Sequence, residues 1–309
     1  MLVLNKSVNS IIAKTKNFLF SEGHFERLGL MRVLLCGTLL YLAIFRQFNI
    51  DQFTNLSLIP RSEALGVYPD FYRPFFEYFF WPDQLAPFVH AILILLLLLA
   101  TLGLTNRPVL FLTWFISQGF MNRNYSMLFG ADVIGALFLF YIAFTNCTDF
   151  FSLKKYFFKS EKIHKPQIFS DQISTVFFRL MQIQICVIYM YTGFEKLKGN
   201  SWWDGTALWT VFANPQFTGF NLIWLRQFPL FFAVGTFTSV IFEIYFPAMI
   251  LNKKIRPYWL LLGLFFHTAI GITLSLMTFS LVMISTYFLF LDRLDLRRWS
   301  SHRFLNFKK

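Results

Sequence analysis

The sequence predicts an all-α fold, a polytopic membrane bundle of about eight transmembrane helices with both termini cytoplasmic. Three observations carry this expectation. Of 309 residues, 56% are hydrophobic and 14% charged, whereas a soluble chain keeps about a quarter of its residues charged. The apolar residues gather into runs near the length, about 20 residues, that a helix needs to cross the hydrocarbon core. Lysine and arginine collect in alternate connecting segments, as they do where short loops face the cytoplasm.

The chain opens on "MLVLNKSVNSIIAKTKNFLF", which sets Leu4, Val8, Ile11, Ile12 and Leu19 at roughly helical spacing with Lys6, Lys14 and Lys16 between them. No apolar core long enough for a signal peptide precedes a small-residue cleavage site. Residues 1–27 are therefore expected to form a basic helix lying on the inner leaflet, residues 28–293 the transmembrane domain, and residues 294–309 a basic cytoplasmic tail. Eight spans are expected, near Leu28–Phe45, Leu85–Leu104, Pro108–Met121, Ser126–Thr145, Thr175–Phe194, Phe228–Leu251, Pro257–Leu276 and Phe279–Leu291. The third and eighth are short enough to be tilted or re-entrant. Between the first two, "FYRPFFEYFFWPDQ" carries aromatics at helical spacing between prolines, the pattern of an interfacial helix. Between the fourth and fifth, alternating Phe and Lys predict a strip lying along the membrane.

With the N-terminus inside, nineteen Lys and Arg residues fall on inner segments and seven on outer ones, an asymmetry that an even number of spans preserves. The net charge of +12 then follows from topology. Nucleic-acid binding is not indicated, because no basic module stands apart from the apolar runs. Cys36, Cys147 and Cys186 have no CxxC spacing, so neither a disulfide framework nor a metal site is indicated. No internal repeat is visible, which weighs against a transporter built from duplicated halves.

A charge at mid-span costs about 2.5–3.5 kcal/mol on insertion scales, so the ionisable residues in the spans are the candidate functional groups. Arg32 and Arg179 lie about one turn from the inner face and are expected to snorkel. Glu243, in "SVIFEIYFPAMI", is expected to pair with Arg179 or Arg32. Asp132, in "NRNYSMLFGADVIG", is expected below the outer face as an uncompensated carboxylate, His267 near mid-membrane, and His90 at the outer start of the second span. Each histidine reads either as a hydrogen-bonded packing residue or as a proton relay.

Lys196 ends the fifth span in "YMYTGFEKLKGNSWWDG", on the outer side. Glu195 is a poor partner for it, since neighbours at i,i+1 point to different sides of a helix. Two readings follow: an interfacial Lys-Trp anchor, or a base. To serve as a base near neutral pH, a lysine that normally titrates near about 10.4 must fall by roughly three pH units, about 4 kcal/mol. An apolar pocket roofed by Trp202 and Trp203 would supply that and would fit a flat lipid-soluble ring.

The run "RLMQIQICVIYMYTGFEKLKGNSWWDGTAL" (Arg179–Leu208) resembles the signature of the horizontally transferred transmembrane domain, the membrane part of vitamin K-dependent γ-glutamyl carboxylases. Three further stretches are similar in order and spacing: "FERLGLMRVLLCGTLL", "NRNYSMLFGADVIGALFLFYIAF" and "EIYFPAMILNKKIRPYWLLLGLFFHTAIGITLSLMTFSLVMIS". The resemblance implies that Lys196, in "GFEKL", is the base that deprotonates a reduced vitamin K-like quinone. In the carboxylases the oxygenated product then removes a γ-proton from a substrate glutamate, and carbon dioxide adds. For an enzyme of this kind, Asp132 and His267 are expected as further catalytic residues that orient groups or relay protons, and Trp202, Trp203 and Tyr125 as cofactor-binding residues. Arg123 stands where the carboxylases carry a histidine, and the chain looks more like the short bacterial members, some of which are linked to maturing a secreted peptide toxin. Two functions are therefore expected as alternatives. One is a quinol-linked, carboxylase-like enzyme of the bacterial inner membrane acting on an exported peptide. The other is a non-catalytic factor for the maturation or export of a small secreted peptide.

Overall fold

The computed structural model describes residues 25–54, 61–66, 69–74, 82–124, 128–154, 168–214 and 223–291. The basic segment up to His24, the aromatic stretch 75–81, the Phe-Lys strip over 155–167 and the C-terminal tail lie outside them. The longer helices are α1 (Glu26–Gln47), α2 (Ala86–Leu102), α3 (Arg107–Arg123), α4 (Gly130–Ala143), α5 (Ile168–Lys196), α6 (Pro229–Leu251), α7 (Arg256–Thr273) and α8 (Met277–Tyr287). No strand occurs among the described residues.

Among the described residues four stretches are long and apolar enough to cross a membrane: Phe25–Gln47, Asp83–Leu102, Phe169–Lys196 and Pro229–Leu251. Helix α4 and the stretch Met277–Phe290 are shorter apolar helices. Large apolar side chains face outward along them. On α6, Leu230, Val234, Phe237, Ile241 and Tyr245 are exposed, whereas Phe232, Thr236, Ser239, Glu243 and Phe246 point inward. An apolar outside around a more polar inside is what hydrocarbon surroundings require, and the chain is an integral membrane protein.

The helix ends follow local chemistry. Proline sits in the first turn of α2, α3, α6 and α7, where its missing N–H is not needed. Asn106 caps α3 by accepting from the Val109 N–H at 3.1 Å. Helix α2 stops at Gly103, which is left-handed at φ 74°, and Leu104 N–H returns to the Leu99 carbonyl at 2.8 Å, the helix-closing pattern that glycine favours.

The chain divides into two compact units, with the boundary after Leu180, inside α5. In the first, α1 packs along α2 and also touches α4, and α3 lies against both α2 and α4. Its core holds Ala43, Phe53, Leu93, Leu97, Ile116 and Phe120. Arg32 does not snorkel. It is fully buried and donates to the carbonyls of Ala100, Thr101 (3.1 Å), Phe150 (3.1 Å) and Phe151 (2.7 Å). The last carbonyls of α2 have no intrahelical donors, and a cation there also meets the negative end of the helix dipole. Gly103 makes room, because a Cβ at that position would sit 2.8 Å from Arg32 Nη1. In the second unit α7 packs on α6 and α8, and the short helices Asn200–Trp203 and Ala207–Phe212 lie on α6.

Candidate functional site

The second unit holds the charge that the sequence singles out. Tyr189, Gly193 and Lys196 stand at i, i+4 and i+7, one face of α5. Gly193 is the contact point with α6. A Cβ there would lie 2.7 Å from Ile244 Cγ1, 3.0 Å from the Ile244 nitrogen and 3.2 Å from Glu243 Cβ. Only a bare backbone lets α5 approach α6 this closely, and the approach delivers Lys196 to Glu243. Lys196 Nζ donates to Glu243 Oε2 at 2.5 Å, with side chains 22% and 8% exposed. Four residues after Glu243 comes Pro247, inside α6. Proline has no N–H, so the Glu243 carbonyl receives no ladder bond from it, and α6 is locally weakened at the acidic residue.

The amine also lies over the indole of Trp202, 5.3 Å from the ring centroid. Trp203 does not share the roof. It is 65% exposed, and its Nε1–H donates to the Leu197 carbonyl at 2.7 Å. The short helices that follow are held to α6 by Thr236, whose hydroxyl donates to the Gly205 carbonyl at 3.2 Å and accepts from Leu208 N–H at 3.1 Å. Glu195 pairs with Lys198 at 2.6 Å on the surface and leaves Lys196 to Glu243.

Two turns back along the same face, Tyr189 joins His267 to Tyr287. Its hydroxyl lies 2.6 Å from His267 Nε2 and 2.6 Å from the Tyr287 hydroxyl. All three are buried, and His267 Nδ1 has no hydrogen-bond partner among the described residues. His267 therefore meets α5 at Tyr189, about 10 Å from Lys196 along the helix. The two do not bond to each other.

Asp132 belongs to the first unit and is compensated rather than isolated. Arg46 clamps it with two contacts, Nη1 to Oδ1 at 2.6 Å and Nη2 to Oδ2 at 2.7 Å. Asp132 also accepts the Phe129 N–H at 2.9 Å, which caps the start of α4. His90 Nδ1 lies 2.7 Å from Gln47 Oε1. Arg46, His90, Ser117 and Asp132 face a cavity of about 40 Å³ otherwise lined by apolar groups, room for about three waters at about 10–15 Å³ each. Arg123 is buried and bound to the Phe53 carbonyl at 2.5 Å and to Asp83, a structural tie at the end of α3. Tyr125 lies outside the described residues.

Glu243 was assigned the wrong partner by the sequence. Neither Arg32, committed to four carbonyls, nor Arg179, which lies 5.4 Å from the Phe178 ring centroid, forms its ion pair. The readable signals were Gly193 one turn before Lys196 and Pro247 one turn after Glu243. Tyr189 and Tyr287 carried no signal apart from their places on apolar faces.

The HTTM domain family matches residues 23–294. The sporulation-delaying protein SdpB of Bacillus subtilis is 33% identical over 125 residues, 38% of this chain and 39% of that protein. An uncharacterized protein of the same organism, YitO, is 24% identical over 208 residues, 65% of this chain and 66% of that one. The chain thus spans less than two thirds of either relative. No solved structure matches.

Proposed function

We propose, for a chain that belongs to the HTTM domain family, that the Lys196–Glu243 pair is the acid–base centre of a membrane enzyme that modifies an exported peptide. The observation that carries this reading is the pair itself. A lysine at the end of a span, free to point its amine to the interface, is instead turned onto a buried carboxylate and an indole face. Glu243 takes the amine's proton, and the freed nitrogen lone pair then accepts a proton from the substrate, leaving an anion beside Lys196. Tyr189 holds His267 on the same face, about 10 Å from the amine, so a proton relay from that pair to the amine would need a further group between them.

A reduced quinone is the second reactant in this proposal. Two features of the site support such a ring. Two of the amine's three N–H donors remain after Glu243 is served, and Trp202 supplies an aromatic wall beside them. When bound, it would contribute a phenolic proton and the electrons for a reaction with oxygen. Trp203, turned to the surface, is given no part in holding it.

The test uses cells that express the full chain. The masses of exported peptides are compared between wild type and the variants Lys196→Ala, Lys196→Arg and Glu243→Gln, with membrane insertion checked for each. The proposal expects a modified peptide in wild type that disappears in all three. Arginine keeps the charge but cannot deprotonate usefully. Full modification in both Lys196 variants would sink the assignment.

A second reading is favoured by the same ion pair, since a single Lys–Glu contact also pins α5 to α6. Here the chain is a non-catalytic factor for the maturation or export of a small secreted peptide. Under this reading Lys196→Arg works normally, and the exported peptide has the same mass with or without the chain.

A further inference from the structure

The first unit carries a second polar site, separate from the Arg46–Asp132 pair. Where α3 begins, α4 ends and α5 begins, an open cleft of about 630 Å³ is lined by Arg107, Asn146, Thr148, Asp149, Lys154 and Phe169, among others. Its two cations are under-neutralised. Arg107 Nη2 donates to Asn146 Oδ1 at 2.6 Å, Ser170 O at 2.9 Å and Ser174 Oγ at 2.8 Å, and its Nε reaches the Thr145 carbonyl at 3.4 Å. All of these acceptors are neutral, and Nη1 carries no hydrogen bond among the described residues. Among the described residues Lys154 Nζ has one long bond, to Thr148 Oγ1 at 3.3 Å. Neither cation has a carboxylate within ion-pair distance among the described residues. Among the described lining residues Asp149 is the one acid, against two cations, and Asp171 also acts on Arg107 at longer range.

Burial lowers the Lys154 amine below its usual range, and the nearby Asp149 carboxylate offsets this only in part. The cleft is also two-faced. Beside the cations stand Phe169, strongly exposed, and Ile173, an apolar lip next to a basic floor. Charge patterning places this end of the unit at the cytoplasmic leaflet, where anionic lipid headgroups lie.

We propose that this cleft binds a phosphate group, presented by an anionic phospholipid whose acyl chain runs along Phe169 and Ile173. Arg107 Nη1 and the free N–H groups of Lys154 would hold the phosphate oxygens, the charge-assisted arrangement that such anions favour.

The experiment takes the purified full chain in detergent. Retention of added phosphatidylglycerol and phosphatidylcholine is measured by native mass spectrometry, with the unfolding temperature read alongside. Phosphatidylglycerol is expected to be retained selectively and to raise the unfolding temperature. Lys154→Gln is expected to weaken its retention about fivefold, the effect of one lysine facing an anionic headgroup, with helical content unchanged. Arg107 also ties α3 to α5, so its substitution confounds folding with binding, and Phe169→Ala serves as the second variant. It is expected to weaken the lipid without altering any response to inorganic phosphate. If inorganic phosphate alone raises the unfolding temperature and Lys154→Gln abolishes that rise, the phosphate chemistry stands and the source is a soluble phosphate. The double variant Lys253→Gln/Lys254→Gln, at another basic turn, is the control. Equal retention of both lipids, or equal loss in the control and in Lys154→Gln, overturns the site.

Discussion

The Arg46–Asp132 and Lys196–Glu243 pairs are alike in kind and opposite in design. Each joins a cation at the end of a long helix to a carboxylate buried in another helix. Arg46 grips Asp132 with both nitrogens, and Asp132 also caps α4. Both carboxylate oxygens are engaged, in three contacts, and arginine does not give up its proton under ordinary conditions. Glu243 takes one contact from Lys196, whose amine keeps two donors free and rests on an indole. Both members of that pair can exchange a proton. The first geometry fixes a helix end, whereas the second leaves chemistry available. Depth and charge are similar in the two, so a buried ion pair by itself does not mark a site. What distinguishes them is unspent hydrogen-bonding capacity on groups that titrate.

The largest effect expected from this contrast is on folding. Asp132→Ala leaves Arg46 without its carboxylate and opens the cap of α4. Removing one partner of a buried pair costs roughly 3–5 kcal/mol. Arg46 keeps some access to water, so the lower end applies, with about 1 kcal/mol more for the cap. The unfolding temperature of the detergent-solubilised chain should drop sharply. An unchanged transition would show that the clamp is not structural and would return Asp132 to the list of chemical groups.

The next effect separates stability from activity at the other pair. Replacing both partners of a buried ion pair by apolar groups is often neutral or stabilising. Lys196→Met/Glu243→Leu should therefore unfold within about 1 kcal/mol of wild type and yet produce no modified peptide. Retained modification in that double variant would reduce the pair to a clasp and favour the non-catalytic reading.

These expectations also mark how far the sequence could be read. The helices were legible because hydrophobic run length is a local property, and each of the eight predicted runs contains or overlaps one of α1–α8. Boundaries were legible where proline punctuates, as at the starts of α3 and α7. The site was legible in one half. Lys196 stood out as a charge at the end of an apolar run, and the i,i+1 argument correctly excluded Glu195. Its partner lies 47 residues away and depends on which helix α5 touches, which run length does not encode. The same limit explains Arg32. Its position one turn inside a span predicted snorkelling, but its acceptors come from the end of α2 and from the turn at Phe150 and Phe151, which only the packed chain brings together. Asp132 read as uncompensated because Arg46 was assigned to a loop, whereas α1 continues to Gln47 and carries the guanidinium with it.

The smallest expected effect tests whether the contrast is about position or merely about lysine. Lys198 lies two residues beyond Lys196 in the same "EKLK" stretch and also pairs with a glutamate, at 2.6 Å. It is an i,i+3 pair in open solvent, where the Coulomb gain is screened and holding two long side chains in one geometry costs entropy. Lys198→Gln should change neither the unfolding temperature nor the modification of an exported peptide, measured beside Lys196→Ala in the same cells. A Lys198 variant as inactive as Lys196→Ala would mean that the stretch acts through its summed positive charge at the interface, as an anchor would. The buried contact with Glu243 would then be incidental. Activity lost at 196 and kept at 198 ties the function to the one amine that Gly193 allows to reach α6.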